Sequence, residues 1–202
     1  MQYSTHGGKC KGELIAFDIG REFVYNIRSE VRPLDRSKTC TFTGHREKKL
    51  PWGYNEDDPR CVRLKKLLYD AAEAAWQTGY RHFICGMASG CDLWFGEAVL
   101  LLRSEHPDVT LEAAIPCEGQ SARWSEDLRR RYERLATESD VRTLLQSEYT
   151  PDCMMRRNRY MVDHASLLLA AYNGAPGGTQ NTLLYALREG VRVVELPMEL
   201  WT

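Results

Sequence analysis

A glycine-rich turn near the end of the chain has the residue types that hold phosphate groups in proteins. It follows an apolar run at residues 167–172, contains Gly177, Gly178 and Thr179, and leads into a helical pattern at residues 179–189. A strand, a glycine-rich turn and a helix together present free backbone N–H groups and a positive helix end to an anion. The Thr179 and Thr182 hydroxyls could also donate to that anion. A tight turn that binds nothing explains this stretch equally well.

A second strand–turn–helix unit has its glycines at residues 86–92. Gly86, Ser89 and Gly90 form the turn, and Asp92 falls in the first turn of the next helix. The spacing is G-x-x-x-G rather than the dinucleotide pattern G-x-G-x-x-G, so the motif alone is weak. Asp92 could bind ribose hydroxyls, although capping the helix is the simpler role.

Gly44, His45 and Arg46 directly follow the first strand-like run. In α/β sheets, ligands bind at the carboxyl ends of the strands, which is where these residues would lie. Arg46 could bind a phosphate, and His45 could donate a hydrogen bond or move a proton. The alternative is a solvated loop in which Arg46 pairs with a nearby acid.

Arginines are frequent in two predicted helices, and the sequence separates their roles. The helix at residues 123–136 is rich in both arginine and acids, which favours a solvated, salt-bridged face. In the helix predicted to begin at Thr150-Pro151-Asp152, Arg157 shares a face with Met161 and should turn inward. An inward arginine needs an anionic partner, so Arg157 is a candidate ligand-binding residue.

The elements that must position these residues alternate along the chain. Six apolar runs predict strands at residues 39–43, 81–85, 109–115, 140–145, 167–172 and 191–196, with helical patterns between them. Such alternation predicts an α/β fold, a three-layer sandwich in which helices cover both faces of a mostly parallel sheet of about six strands. We assign residues 38–202 to this domain and residues 1–37 to an N-terminal extension that could form a hairpin.

Composition excludes several classes of protein. The chain has 202 residues, 43% hydrophobic and 27% charged, as in ordinary globular domains. No apolar run reaches membrane-spanning length, so we expect no membrane partner. The seven cysteines form no C-x-x-C pair, which predicts reduced thiols in a cytoplasmic protein and no metal site. A formal net charge of -1 disfavours nucleic acid as a partner and leaves the oligomeric state open, a homo-oligomer included.

In combination, these motifs resemble those of the YpsA-like family, within the superfamily of the DNA-processing protein DprA and the LOG (lysine-decarboxylase-like) cytokinin-activating enzymes. The resemblance covers about residues 39–196 and implies a Rossmann-like domain that binds a nucleotide or a nucleotide derivative. Five motifs follow one another in the family's order: Gly44-His45-Arg46, residues 86–92, Tyr149-Thr150-Pro151, residues 157–163 and Gly177-Gly178-Thr179.

The resemblance to LOG enzymes is incomplete where their chemistry occurs. Those enzymes hydrolyse the glycosidic bond of a nucleoside monophosphate with an arginine four residues before a methionine and a glutamate after P-G-G-x-G-T. Arg157 and Met161 match the first element, but Leu183 and Leu184 stand where the second would fall. We therefore expect binding or sensing of a nucleotide-derived small molecule, such as an ADP-ribose or NAD relative, with no certain further cofactor. An N-glycosidic hydrolase is the alternative, and the catalytic residues are unknown.

Overall fold

The protein is an α/β sandwich built on one sheet. Its computed structural model describes residues 35–197 and the backbone of two strands at residues 14–18 and 23–27. The strands are β1 (Leu14–Asp18), β2 (Phe23–Ile27), β3 (Thr39–Gly44), β4 (His82–Cys85), β5 (Thr110–Ile115), β6 (Val141–Leu144), β7 (Leu167–Ala171) and β8 (Arg192–Glu195). The helices are α1 (Pro59–Gln77), α2 (Cys91–Glu105), α3 (Glu126–Glu138), α4 (Cys153–Asp163) and α5 (Gly178–Arg188), with 3-10 turns at Arg36–Lys38 and Glu47–Lys49.

The strand order is β1-β2-β6-β5-β4-β3-β7-β8. Every pairing from β6 to β8 is parallel, whereas β1 pairs antiparallel with β2, and β2 pairs antiparallel with β6. The predicted mostly parallel sheet of about six strands is therefore confirmed. The division into an extension of residues 1–37 and a domain of residues 38–202 stays a prediction.

Both faces of the parallel strands are buried, which explains why these strands read as continuous apolar runs. In β7, Leu167 and Leu169 join the large core that helices α1, α2 and α3 cover. Leu168 and Ala170 point to the other face, where they join the smaller core under α4 and α5. Because β3 lies between β4 and β7, the turns after these three strands meet at one edge of the sheet.

Two helices begin later than the sequence predicted. Helix α3 starts at Glu126 rather than Arg123, because the Ser125 hydroxyl caps it by accepting the Leu128 N–H at 3.4 Å. Helix α4 starts at Cys153, after a turn at residues 151–152, although the sequence predicted that Thr150 caps it and Pro151 begins it. Within the part of the chain that the structure describes, no helix is long and apolar enough to cross a membrane.

Candidate functional site

A cleft of about 370 Å³ opens at the carboxyl ends of the central strands. That volume suits part or all of a small-molecule ligand. The cleft is bounded by the loop after β3, the turn before α2, the first half of α4 and the start of α5. Its lining residues are Phe42, Thr43, Gly44, His45, Arg46, Lys48, Lys49, Ala88, Asp92, Met154, Arg157, Asn158, Gly178 and Thr179.

A buried pair of opposite charges, Arg157 and Asp92, lies in this cleft. The two residues are 4% and 6% exposed, and Arg157 Nη1 is 3.7 Å from Asp92 Oδ2. Burial raises the pKa of Asp92, and the nearby Arg157 opposes this rise. Burial likewise lowers the pKa of Arg157, against the attraction of Asp92. Arg157 Nη1 has no hydrogen-bond partner among the described residues, a costly state for a buried donor.

Gly86 allows this charged pair to lie against the turn after β4. A Cβ atom at Gly86 would be 2.3 Å from Arg157 Nη1 and 2.7 Å from Asp92 Oδ2. Gly86 thus contacts the underside of the pair rather than lining the cleft, and any side chain there would displace the guanidinium.

The same turn is held in place by several hydrogen bonds. The Ala88 N–H donates to Asp92 Oδ2 at 3.3 Å, and Gln120 Nε2 donates to the Met87 carbonyl at 2.7 Å. Met87 has a φ of 57°, a left-handed conformation that few residues other than glycine adopt. These hydrogen bonds constrain the shape of the turn.

Ser89 and Gly90 join two loops instead of facing the cleft. The Ser89 hydroxyl donates to the buried Glu47 carboxylate at 2.8 Å. Gly90 has a φ of 85°, and a Cβ atom there would be 2.8 Å from the His45 carbonyl oxygen. Neither of these two predicted site residues lines the cleft. Both contact the loop after β3 and help to hold it in position.

A relay of hydrogen bonds connects Arg157 to the start of α5. Arg157 Nε donates to Asn158 Oδ1 at 2.8 Å, and Asn158 Nδ2 donates to Thr182 Oγ1 at 2.7 Å. The Thr182 hydroxyl then donates to the Gly178 carbonyl at 2.8 Å. Asn158 was not predicted as a site residue from the sequence, where its position directly after an inward arginine was the available signal.

The start of α5 presents backbone N–H groups to the cleft. No side chain caps this helix, and a Cβ atom at Gly178 would have no neighbour within 4 Å. The Thr179 hydroxyl donates to the Gly44 carbonyl at 3.1 Å, and the Thr182 hydroxyl donates to the Gly178 carbonyl at 2.8 Å. Donation from either hydroxyl to a phosphate stays a prediction. Gly177 lies beside Lys49 Nζ, which donates to the Pro176 carbonyl at 2.8 Å.

His45 is 2% exposed and binds the glycine-rich turn after β7. Its Nε2 accepts the Asn173 N–H at 3.3 Å, and its Nδ1 lies 3.5 Å from the Thr179 hydroxyl. Burial lowers the pKa of His45, which a hydrogen bond with Asn173 partly opposes. A neutral histidine with both nitrogens engaged is suited to holding two loops together.

Cations at the mouth of the cleft differ from those on α3. Arg46 and Lys48 are exposed, and within the described residues neither forms an ion pair. On α3, by contrast, Arg131 and Arg134 both pair with Glu97. The predicted salt-bridged face of α3 is confirmed, whereas Arg46 and Lys48 add positive charge to the lining of the cleft.

This architecture, with its glycine turns at the carboxyl ends of β4 and β7, defines a Rossmann-like protein with its cleft at the usual ligand edge. The YpsA model, described as the YspA SLOG family, matches residues 40–195. The chain therefore belongs to this SLOG family, and the predicted resemblance is confirmed.

Two bacterial relatives illustrate the family. The uncharacterised SPbeta prophage-derived protein YoqJ of Bacillus subtilis (strain 168) is 32% identical over 142 residues, which cover 64% of this chain and 83% of YoqJ. A UPF0398 protein of Bacillus thuringiensis (strain Al Hakam) is 26% identical over 154 residues, which cover 75% of this chain and 83% of that protein.

Solved structures of DNA processing protein A share the fold. The Helicobacter pylori protein, described for its single-stranded DNA binding mode, has 14% identity and a TM-score of 0.61, covering 87% of this chain and 72% of that chain. The Streptococcus pneumoniae protein (DprA) has 13% identity and a TM-score of 0.62, covering 87% of this chain and 55% of that chain. The prediction that disfavoured nucleic acid as a partner is wrong, because a protein of this fold binds single-stranded DNA. Net charge describes the whole chain, whereas nucleic-acid binding depends on local positive charge.

Proposed function

We propose that this protein binds a nucleotide or nucleotide-derived ligand in the cleft, with a phosphate group held by Arg157 and the start of α5. The observation that carries the proposal is the buried Arg157 guanidinium, which lines the cleft 3.7 Å from Asp92. A phosphate in the cleft would add a second anionic partner for Arg157, and the uncapped α5 end would add backbone N–H donors.

The rest of the cleft fits the same ligand class. Asp92 is a buried acceptor that could take hydrogen bonds from ribose hydroxyls, and Arg46 at the mouth could meet a second phosphate. These features favour a ligand with both a sugar and phosphate, such as ADP-ribose or an NAD relative.

Calorimetric titration with AMP, NAD and ADP-ribose tests the proposal. A charge-assisted contact is worth roughly 1.5–3 kcal/mol, so Arg157→Ala should weaken binding about tenfold to a hundredfold. Arg129→Ala is the matched control, because Arg129 lies on α3, where its nearest acid is Glu133 at 4.0 Å. Equal losses in the two variants would indicate general electrostatic attraction and refute the site.

A short thymine oligonucleotide provides a further arm of this titration. Competition between the oligonucleotide and ADP-ribose would mean that a nucleic-acid phosphate uses the same cleft. Binding of the oligonucleotide alone, with none of the small nucleotides, would refute a small-molecule ligand.

An N-glycosidic hydrolase is the second candidate function. The observation in its favour is a carboxyl group, Asp92, that lies in the cleft beside Arg157 and has a raised pKa. General acid–base help typically contributes about 10²–10⁴-fold. Turnover of AMP, NAD or ADP-ribose above about one per second, lost in Arg157→Ala, would replace the binding proposal with this one. Chromatography of the free base and the remaining sugar phosphate product of each substrate measures it.

A further inference from the structure

Another buried carboxylate, that of Glu112, lies outside the cleft, in the middle of strand β5. Glu112 is fully buried and has three donors. The hydroxyls of Tyr160 and Thr143 donate to its Oε1 at 2.7 and 2.6 Å, and His82 Nε2 lies 2.8 Å from its Oε2. Burial alone would raise the pKa of Glu112, but the hydrogen bonds from His82, Thr143 and Tyr160 hold it below its ordinary value. The carboxylate is therefore a charged anchor inside the sandwich.

Two of the three donors belong to the sheet, and only Tyr160 belongs to a helix. His82 begins β4, and Thr143 lies on β6. Tyr160 is on α4, three residues after Arg157, so both side chains lie on the side of the helix that faces the sheet. The Tyr160–Glu112 hydrogen bond thus fixes α4 one turn away from the arginine of the cleft.

We infer that Glu112 and Tyr160 are positioning residues for the cleft: their hydrogen bond holds α4 where Arg157 meets both Asp92 and the ligand. This inference rests on the proposed function. Arg157 has little tolerance for movement, since Gly86 and Asp92 leave no space on one side of its guanidinium. A small shift or rotation of α4 would therefore change ligand affinity although Tyr160 does not line the cleft.

The chain offers a matched pair of variants. Tyr160→Phe and Thr143→Val each remove one hydroxyl that donates to the same oxygen, Glu112 Oε1, and each nearly preserves the side-chain shape. Both should lower thermal stability. Only Tyr160→Phe should weaken ADP-ribose binding, by roughly threefold to tenfold, because only Tyr160 acts on the helix of Arg157.

A double-mutant cycle separates positioning from general destabilisation. The Tyr160→Phe change is measured by calorimetry in the wild-type chain and in the Arg157→Ala variant. If Tyr160 acts through Arg157, its effect on ADP-ribose affinity disappears in the second background. An effect that persists there, or an equal loss of affinity in Thr143→Val, overturns the inference while leaving the proposed function intact. If the wild-type chain binds none of ADP-ribose, AMP and NAD, the proposed function itself falls and the inference falls with it.

Discussion

Replacing Gly86 by alanine tests the geometry of the cleft most directly. The new Cβ atom would be 2.3 Å from Arg157 Nη1, whereas ordinary van der Waals contact begins at 3.4 Å. The guanidinium must therefore move by about 1 Å or more. The backbone at Gly86 needs no left-handed conformation, so the side-chain overlap is the whole perturbation.

The expected loss of stability follows from the charge separation. Two unit charges 3.7 Å apart attract by about 4.5 kcal/mol at an effective dielectric constant of about 20. A displacement of Arg157 by about 1 Å lowers this attraction to about 3.5 kcal/mol, so the free energy of unfolding should fall by about 1 kcal/mol. Affinity for ADP-ribose should fall further, about tenfold to a hundredfold, if the displaced guanidinium no longer meets the phosphate.

The assay compares urea unfolding and calorimetric titration for Gly86→Ala and for a control, Gly96→Ala. At Gly96, a Cβ atom would be 2.6 Å from Leu135 Cδ2, so the control has a similar overlap with a flexible apolar side chain in the core. It should lose stability without losing affinity. Unchanged affinity in a folded Gly86→Ala protein would refute the reasoning, because it would mean that the position of Arg157 does not control the site.

Three further outcomes are expected. Gly178→Val should fold normally, because a Cβ atom there meets nothing within 4 Å, yet block ligand at the start of α5; unchanged calorimetric affinity would place the site elsewhere. Thr182→Val leaves Asn158 Nδ2 without its acceptor, so the free energy of unfolding should fall by about 1–3 kcal/mol and ligand binding should weaken. A ligand affinity equal to that of the wild type would show that the hydrogen-bond relay does not contribute to the site. Glu112 has a folded pKa below its ordinary 4.5, so its stabilisation is present above that pH and lost as the pH falls through the lower folded value. The stability gap between wild type and Glu112→Gln should therefore be larger at about pH 7 than at about pH 3, and a constant gap would contradict the assigned cause.

The order of elements was predictable because each one has a local signature. Strand β7 is buried on both faces and reads as an unbroken apolar run, whereas α1 carries a stripe at helical spacing. The inward orientation of Arg157 followed from its spacing to Met161, and both residues are buried. Helix starts were less predictable: Thr150-Pro151 has a good capping pattern, yet α4 begins at Cys153.

The partners of the site residues were not predictable, because they join segments that are distant in the chain. The hydrogen bond from Asn158 to Thr182 spans 24 residues and connects two helices, and that from Ser89 to Glu47 spans 42. Glu112 occurs in an apolar strand with no neighbour in sequence that reveals its three donors. Such contacts depend on how the helices pack on the sheet, which no local pattern contains.

The fixed turn after β4 has a consequence for how fast a ligand can bind. The Met87 backbone is left-handed, Gln120 donates a hydrogen bond to the Met87 carbonyl, and Asp92 accepts one from the Ala88 N–H. Because this wall of the cleft is already ordered, little conformational entropy is lost there on association. Diffusion and the positive charge at the mouth should then influence the association rate more than any rearrangement of this turn.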